Sequence, residues 1–236
     1  MQTSAITIRY SLECDDGHYF EFPVVLDSHT LEHLFPEQGP SPEWTRLKAG
    51  QCEGCPLDAE SLARCPLALS LVKLVEQSGE ILSYTNVTAS VESPERTVRK
   101  STTAQKAVSS LLGLLMATSG CPLTAFLKPM ARFHLPFSTR EESIFRAATA
   151  YLLAQYFLYH RGKPYDIDMS GLKDAYTKLQ AVNAGMAKRL RYLSEGDANV
   201  NAIALLDLLA QDIPAAIEER LSEIEYLFAP YFNPGH

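Results

Sequence analysis

Seven residues constrain this chain most: Leu172, Tyr176, Leu179, Asn183, Met186, Leu190 and Leu193 recur at alternating steps of four and three. Side chains at those steps share one face of an α-helix, so the stretch predicts a long helix with a single apolar seam. Three heptads are too few for a long coiled coil, and a bundle helix is the better reading. Asn183 is the one polar member, and an amide in such a seam sets register against a partner helix at some cost in stability.

The helical character begins at "STREE", where Ser138 or Thr139 serves as N-cap with Glu141 and Glu142 in the first turn. That helix is expected to run to His160 and stop at Arg161-Gly162, with Phe145, Leu152, Tyr156 and Tyr159 on its apolar face. Asp166 and Asp168 precede the long helix and are read as its caps. Two more helices, about 198–211 and 214–229, are expected to join near Pro214, a residue suited to a first helical turn. Ile217, Leu221, Ile224 and Phe228 form the inner face of the last one.

The first part of the chain reads differently. "AITIRYSLEC" (5–14) and "HYFEFPVVL" (18–26) flank "DDG", a hairpin signal, and Pro23 places the second strand at an edge or a bend. Proline and glycine make 35–44 a loop. Short helices are expected after Pro56 and Pro66, the second closed by Gly79 as C-cap. Residues 81–92 and 96–103 form a second hairpin around "SPE", and 104–119 is a helix with Val108, Leu111, Leu112 and Leu115 on one face. Residues 121–138, with three prolines, give a short helix and an irregular connection. The fold class is therefore α+β: an N-terminal portion (1–137) with two β-hairpins and short helices, followed by a C-terminal antiparallel helical bundle (138–236). The two parts form either separate domains or one continuous domain.

Charge is uneven along the 236 residues. Residues 1–80 carry 5 Lys/Arg against 13 Asp/Glu, whereas residues 81–140 carry 7 against 2. With a net charge of −7, wholesale nucleic-acid binding is disfavoured. The positive segment is the place for an anionic ligand near Arg96, Arg99, Lys128 and Arg132, or for internal pairing with the acidic N-terminal stretch. The first residues carry no signal-peptide pattern, and "AVSSLLGLLMA" (107–117) is too short to span a bilayer. A cytoplasmic protein without a membrane role is expected, and the C-terminal helices offer a surface for homo-oligomerisation.

The cysteines carry the sharpest chemical signal. Cys52, Cys55, Cys65 and Cys121 follow a C-x2-C-x9-C-x55-C spacing, and three of them repeat Cys-Pro-Leu. Proline is favoured at the first helical position, so each Cys-Pro predicts a cysteine at a helix N-terminus, where the dipole stabilises a thiolate. Three such termini converging would hold a [4Fe-4S] cluster or Zn through four thiolates. His134 is a substitute for one cysteine, and a labile haem on a Cys-Pro dipeptide is a third option. The competing explanation is that these are small buried hydrophobes that happen to precede prolines. Cys14, alone at a strand end, is read as structural.

The leading functional expectation is a metal- or iron–sulfur-binding protein with a structural or redox-sensing four-cysteine site. The alternatives are an enzyme with a redox cluster or an activated cysteine, Cys121 beside His134, and a partner-binding helical scaffold without metal. The sequence carries no Walker A, GxGxxG after a strand, HExxH or GxSxG pattern.

Overall fold

The computed structural model describes residues 5–34, 41–78, 81–191 and 198–232. Strands β1 (Ala5–Cys14) and β2 (Tyr19–Asp27) form the first hairpin, turned at Gly17 with φ +89°. A Cβ strains that left-handed conformation, which explains a glycine at this turn. Strands β3 (Asn86–Glu92) and β4 (Thr97–Thr103) form the second. The hairpins join through β1 and β3, giving an antiparallel sheet of order β2-β1-β3-β4 with Arg9 opposite Pro23 on one side and Glu92 on the other. Pro23 thus lies on an edge strand, where its missing N–H breaks no ladder.

One sheet face is apolar by strict alternation. Ile8, Tyr10, Leu12 and Cys14 of β1 are buried together with Phe22, Val24 and Leu26 of β2 and Val87, Ala89 and Val91 of β3. Helices α1 (Pro66–Ser78) and α2 (Ala104–Thr118) follow, and most of α2 is buried. After α2 the chain makes a 3-10 turn at Ala125–Leu127 and a short α3 (Lys128–Arg132).

The bundle follows as α4 (Arg140–His160), α5 (Ser170–Leu190) and α6 (Ala198–Glu218), with short α7 (Ser222–Glu225) and α8 (Ala229–Phe232) after it. Thr139 caps α4: its side chain accepts from the Glu142 N–H while the Glu142 carboxylate accepts from the Thr139 N–H. Before α5, Asp166 accepts from the Gly171 N–H at 2.7 Å and from the Tyr151 hydroxyl at 2.6 Å, tying α4 to α5. The α5 seam is buried from Leu172 through Tyr176, Leu179, Asn183 and Met186 to Leu190. Leu193 and Gly79 lie outside the described residues, as do 35–40 of the expected loop.

Three local expectations are corrected. The stretch after Pro56 forms turns and no helix. The two helices expected around Pro214 are one helix, α6, with Pro214 inside it. The carbonyl that loses its helical N–H to Pro214 is that of Ala210, and Gln180 of α5 supplies the replacement donor at 3.1 Å. The expected helix to 229 ends instead at Glu218, where a turn with Arg220 and Leu221 at positive φ leads into the short helices α7 and α8.

Sheet and bundle share one hydrophobic cluster that runs from Ile8 to Ile224. A buried arginine fastens the bundle to the N-terminal part. Arg189 of α5 is 5% exposed, and its guanidinium donates to the carbonyls of Gly50 (3.1 Å), Arg46 (2.9 Å), Leu47 (3.3 Å) and Trp44. Helix α6 is long and apolar enough to cross a membrane, with 28% of its most apolar window buried. Here it packs on α5, α2 and α4.

Candidate functional site: a cavity inside the bundle

The four-cysteine expectation is overturned first. Of the three Cys-Pro steps only Cys65-Pro66 starts an α-helix, with the Leu69 N–H bonded to the Cys65 carbonyl at 3.0 Å. Cys121-Pro122 enters a turn closed by Thr124, and Cys55-Pro56 precedes no helix. The converging helix dipoles that would stabilise thiolates are therefore missing. Cys52 lies within electrostatic reach of Cys65, Cys55 and Cys121. Yet among the described residues no group of three or more His, Cys, Asp or Glu side chains could hold a metal ion. The two statements agree, because charge coupling extends over several ångströms whereas ligation needs sulfurs about 2.3 Å from one ion.

Burial pushes the Cys52 thiol up to about 11, helped by its thiol neighbours, and burial also raises Cys121. Neither is an activated nucleophile. Cys65 and Cys121 are 6% and 7% exposed and belong to the hydrophobic cluster. Cys52 sits against Gly185 of α5, where a Cβ would come 2.7 Å from its sulfur. His134, the proposed substitute ligand and catalytic partner, bonds to the Tyr10 hydroxyl. The reading as a metal, cluster or activated-thiol protein is thus replaced by cysteines that serve as packing.

Three of the four cations named as an anion site face carboxylates. Arg99 faces Glu13 at 3.8 Å, Lys128 faces Glu32 at 3.2 Å and Arg132 faces Glu95 at 3.5 Å. Glu13 and Glu32 come from the acidic N-terminal stretch, so part of the charge asymmetry is met inside the fold. Arg96 and Arg132 both line a small pocket of about 110 Å³ beside His134.

A larger space opens where sequence reasoning placed only a seam. A cavity of about 480 Å³, half open to solvent, lies between α2, the α3 segment, α4, α5 and α6, within the size range of small-molecule sites. Leu114 and Met116 of α2, Met130 of α3, Leu179 of α5 and Leu205, Leu206, Leu208 and Leu209 of α6 supply its apolar walls. The α6 leucines that suggested a membrane span face this space.

A few polar groups converge on it. Asn183 is 1% exposed, and among the described residues neither its amide nitrogen nor its amide oxygen has a hydrogen-bond partner. Tyr176, 4% exposed, packs edge-on against Phe126, with ring centroids 5.3 Å apart. Its hydroxyl has no hydrogen-bond partner among the described residues. Half-buried Arg146 donates from Nη2 to the carbonyls of Met130 (2.7 Å) and Phe133 (3.2 Å). On the sheet side, the Phe137 N–H donates to Ser110 Oγ at 3.2 Å, and Ser110 and the Tyr10 hydroxyl lie 2.8 Å apart. Tyr10 in turn meets His134 Nε2, and burial together with the Arg146 charge pushes His134 down to about 3. The imidazole is neutral, and its Nε2 shares a hydrogen bond with the Tyr10 hydroxyl. Lys100, Lys106 and Arg140 also line the cavity, and Arg140 is held by Asp212 at 3.3 Å and by Glu223.

The family model described as Domain of unknown function (DUF6901) matches residues 6–229. The chain belongs to this family. The match takes in the sheet, the cysteine-bearing loop and the bundle, so sheet and cavity fall within one family unit. No curated protein and no solved structure matches the chain.

The cavity was missed in the sequence for a physical reason. Its walls are ordinary core leucines and methionines, and a helix pattern does not show whether facing side chains meet. One signal was available: Asn183 is the polar position in an otherwise apolar seam.

Proposed function

We propose that the chain is a small-molecule binding protein whose ligand occupies the bundle cavity, with an apolar body against α2 and α6 and a polar group at Asn183. The observation that carries the reading is the Asn183 amide, buried at 1% exposure with neither end hydrogen-bonded among the described residues. Leaving a buried polar group unmet costs about 1–3 kcal/mol. A ligand that supplies an acceptor to the amide nitrogen recovers part of that energy only when bound. The test is a titration with the neutral apolar fluorophore N-phenylnaphthylamine. Saturable binding of one equivalent supports the reading, and the absence of saturable binding removes it.

A second reading concerns the outer half of α4. Leu153, Tyr156, Phe157 and Tyr159 are 54%, 55%, 51% and 58% exposed, and Tyr165 and Ile167 beyond the helix are 55% and 74% exposed. Six large side chains at this exposure amount to roughly 500–600 Å² of apolar surface, the upper end for a typical monomer. Doubled across a two-fold axis, that is about 1,000–1,200 Å², the lower end for a stable interface. Asp168 lies within electrostatic reach of Tyr151, whereas Arg161 and Lys163 follow the C-terminal end of α4, and all three are exposed, so an antiparallel two-fold pairing would set opposite charges together. The partner proposed is a second copy of this chain. Phe157→Asp is expected to convert a dimer to a monomer by light scattering, and a wild-type monomer at all concentrations contradicts this reading.

A further inference from the structure

Arg146 is a cation placed where an apolar cavity needs a reason for one. Its half-buried guanidinium lines the space, and among the described residues no carboxylate comes within ion-pair distance of it. The nearest candidate on its own helix, Glu142, is committed to the cap at the Thr139 N–H. Two carbonyls take up Nη2. Of the five guanidinium N–H donors, those on Nε and Nη1 take no partner among the described residues.

The neighbours sharpen the class. Tyr176 lies within electrostatic reach of Arg146 on the facing helix, and Asn183 stands two turns further along the same α5 face. Both are buried residues lining the cavity, and the Asn183 amide has neither end hydrogen-bonded among the described residues. His134 is neutral, Arg140 is paired with Asp212 and Glu223, and Lys100 and Lys106 are exposed to solvent, so Arg146 is the one half-buried lining cation without an ion pair among the described residues. A partly desolvated cation of this kind is favoured only when an opposite charge meets it. One charge calls for a monoanion, which a carboxylate is and a phosphate monoester near neutral pH is not.

We infer that the ligand is a monoanionic amphiphile of the long-chain carboxylate class, its head group paired with Arg146 and hydrogen-bonded by Tyr176 and Asn183, its chain along the α6 leucines. This rests on the cavity reading above and adds the charge of the ligand to it.

The test compares decanoate and decanol on the full-length protein by isothermal titration, with Arg146→Met as the variant. Decanoate is expected to bind wild type at least about tenfold more tightly than decanol, as a charge-assisted bond of roughly 1.5–3 kcal/mol requires. Arg146→Met is expected to bring the two ligands level. Equal affinity in the wild type overturns the anionic class while leaving the cavity reading intact. Binding of neither ligand overturns both. Because Arg146 also holds two carbonyls, the wild-type comparison stands alone should the variant fail to fold. Decyl phosphate binding more tightly than decanoate would overturn the single-charge argument.

Discussion

Gln180 on α5 donates its side-chain amide to the Ala210 carbonyl of α6 over 3.1 Å, at the one turn where Pro214 withholds the backbone donor. The pair explains how a proline sits inside a long helix without ending it. Ala210 is 1% exposed, so its carbonyl has no recourse to water. Gln180→Leu is expected to destabilise the protein by about 1–3 kcal/mol. In a Pro214→Ala background the backbone donor returns, and the same change should cost about 1 kcal/mol less. Urea denaturation of the four proteins checks this, and an equal cost in both backgrounds contradicts it.

Arg189 joins the bundle to the loop carrying Trp44 to Gly50 through four carbonyls. Lysine cannot reproduce a planar fork, so Arg189→Lys is expected to cost about 2–4 kcal/mol in thermal or urea unfolding. The loss should appear with faster hydrogen exchange at residues 43–50. A variant as stable as wild type would mean that the carbonyls find other donors.

Stability should fall as the solution is acidified below the ordinary histidine range. Burial, with smaller contributions from Arg146 and Lys73, pushes His134 down to about 3 and His33 to about 4, against 6.5 when unfolded. Between those values the unfolded chain binds protons that the folded chain refuses. Each group therefore contributes stability that is complete above the unfolded pKa and lost as pH falls toward the folded one. For His134 the slope is up to about 1.4 kcal/mol per pH unit. His134→Gln retains a hydrogen-bonding group for Tyr10 and should flatten the loss measured between about pH 7 and about pH 5. An unchanged slope contradicts the assignment.

The thiols should be slow to alkylate. Cys52 is pushed up to about 11 and Cys121 is raised, both chiefly by burial, so at about pH 8 almost no thiolate is present at either. Iodoacetamide labelling of these two is expected to be far slower in the native protein than in urea. Rapid native labelling at Cys52 or Cys121 would restore the activated-cysteine expectation.

Much of the architecture was legible because it rests on periodicity. The alternation in β1, β2 and β3, the "DDG" turn, the Thr139–Glu142 capping box and the α5 seam each follow from local chemistry. Pro214 misled because a proline starts a helix or interrupts one according to a tertiary contact, here Gln180, that no local pattern encodes. The Cys-Pro-Leu repeat misled in the same way: helix initiation depends on the residues that follow, and only Pro66 leads into a long apolar run. The cavity depends on where α2, α5 and α6 fail to close on one another, which is a property of the assembled bundle.

The most direct test of the central claim is the stability of Asn183→Leu measured with and without decanoate. The account predicts that the free variant is at least as stable as wild type, because an unmet amide is replaced by an apolar side chain of similar size. It also predicts that the wild-type rise in melting temperature on adding decanoate is lost in the variant. A variant destabilised by several kcal/mol when free, or one that still binds as wild type does, would show that the Asn183 amide serves the fold and not a ligand.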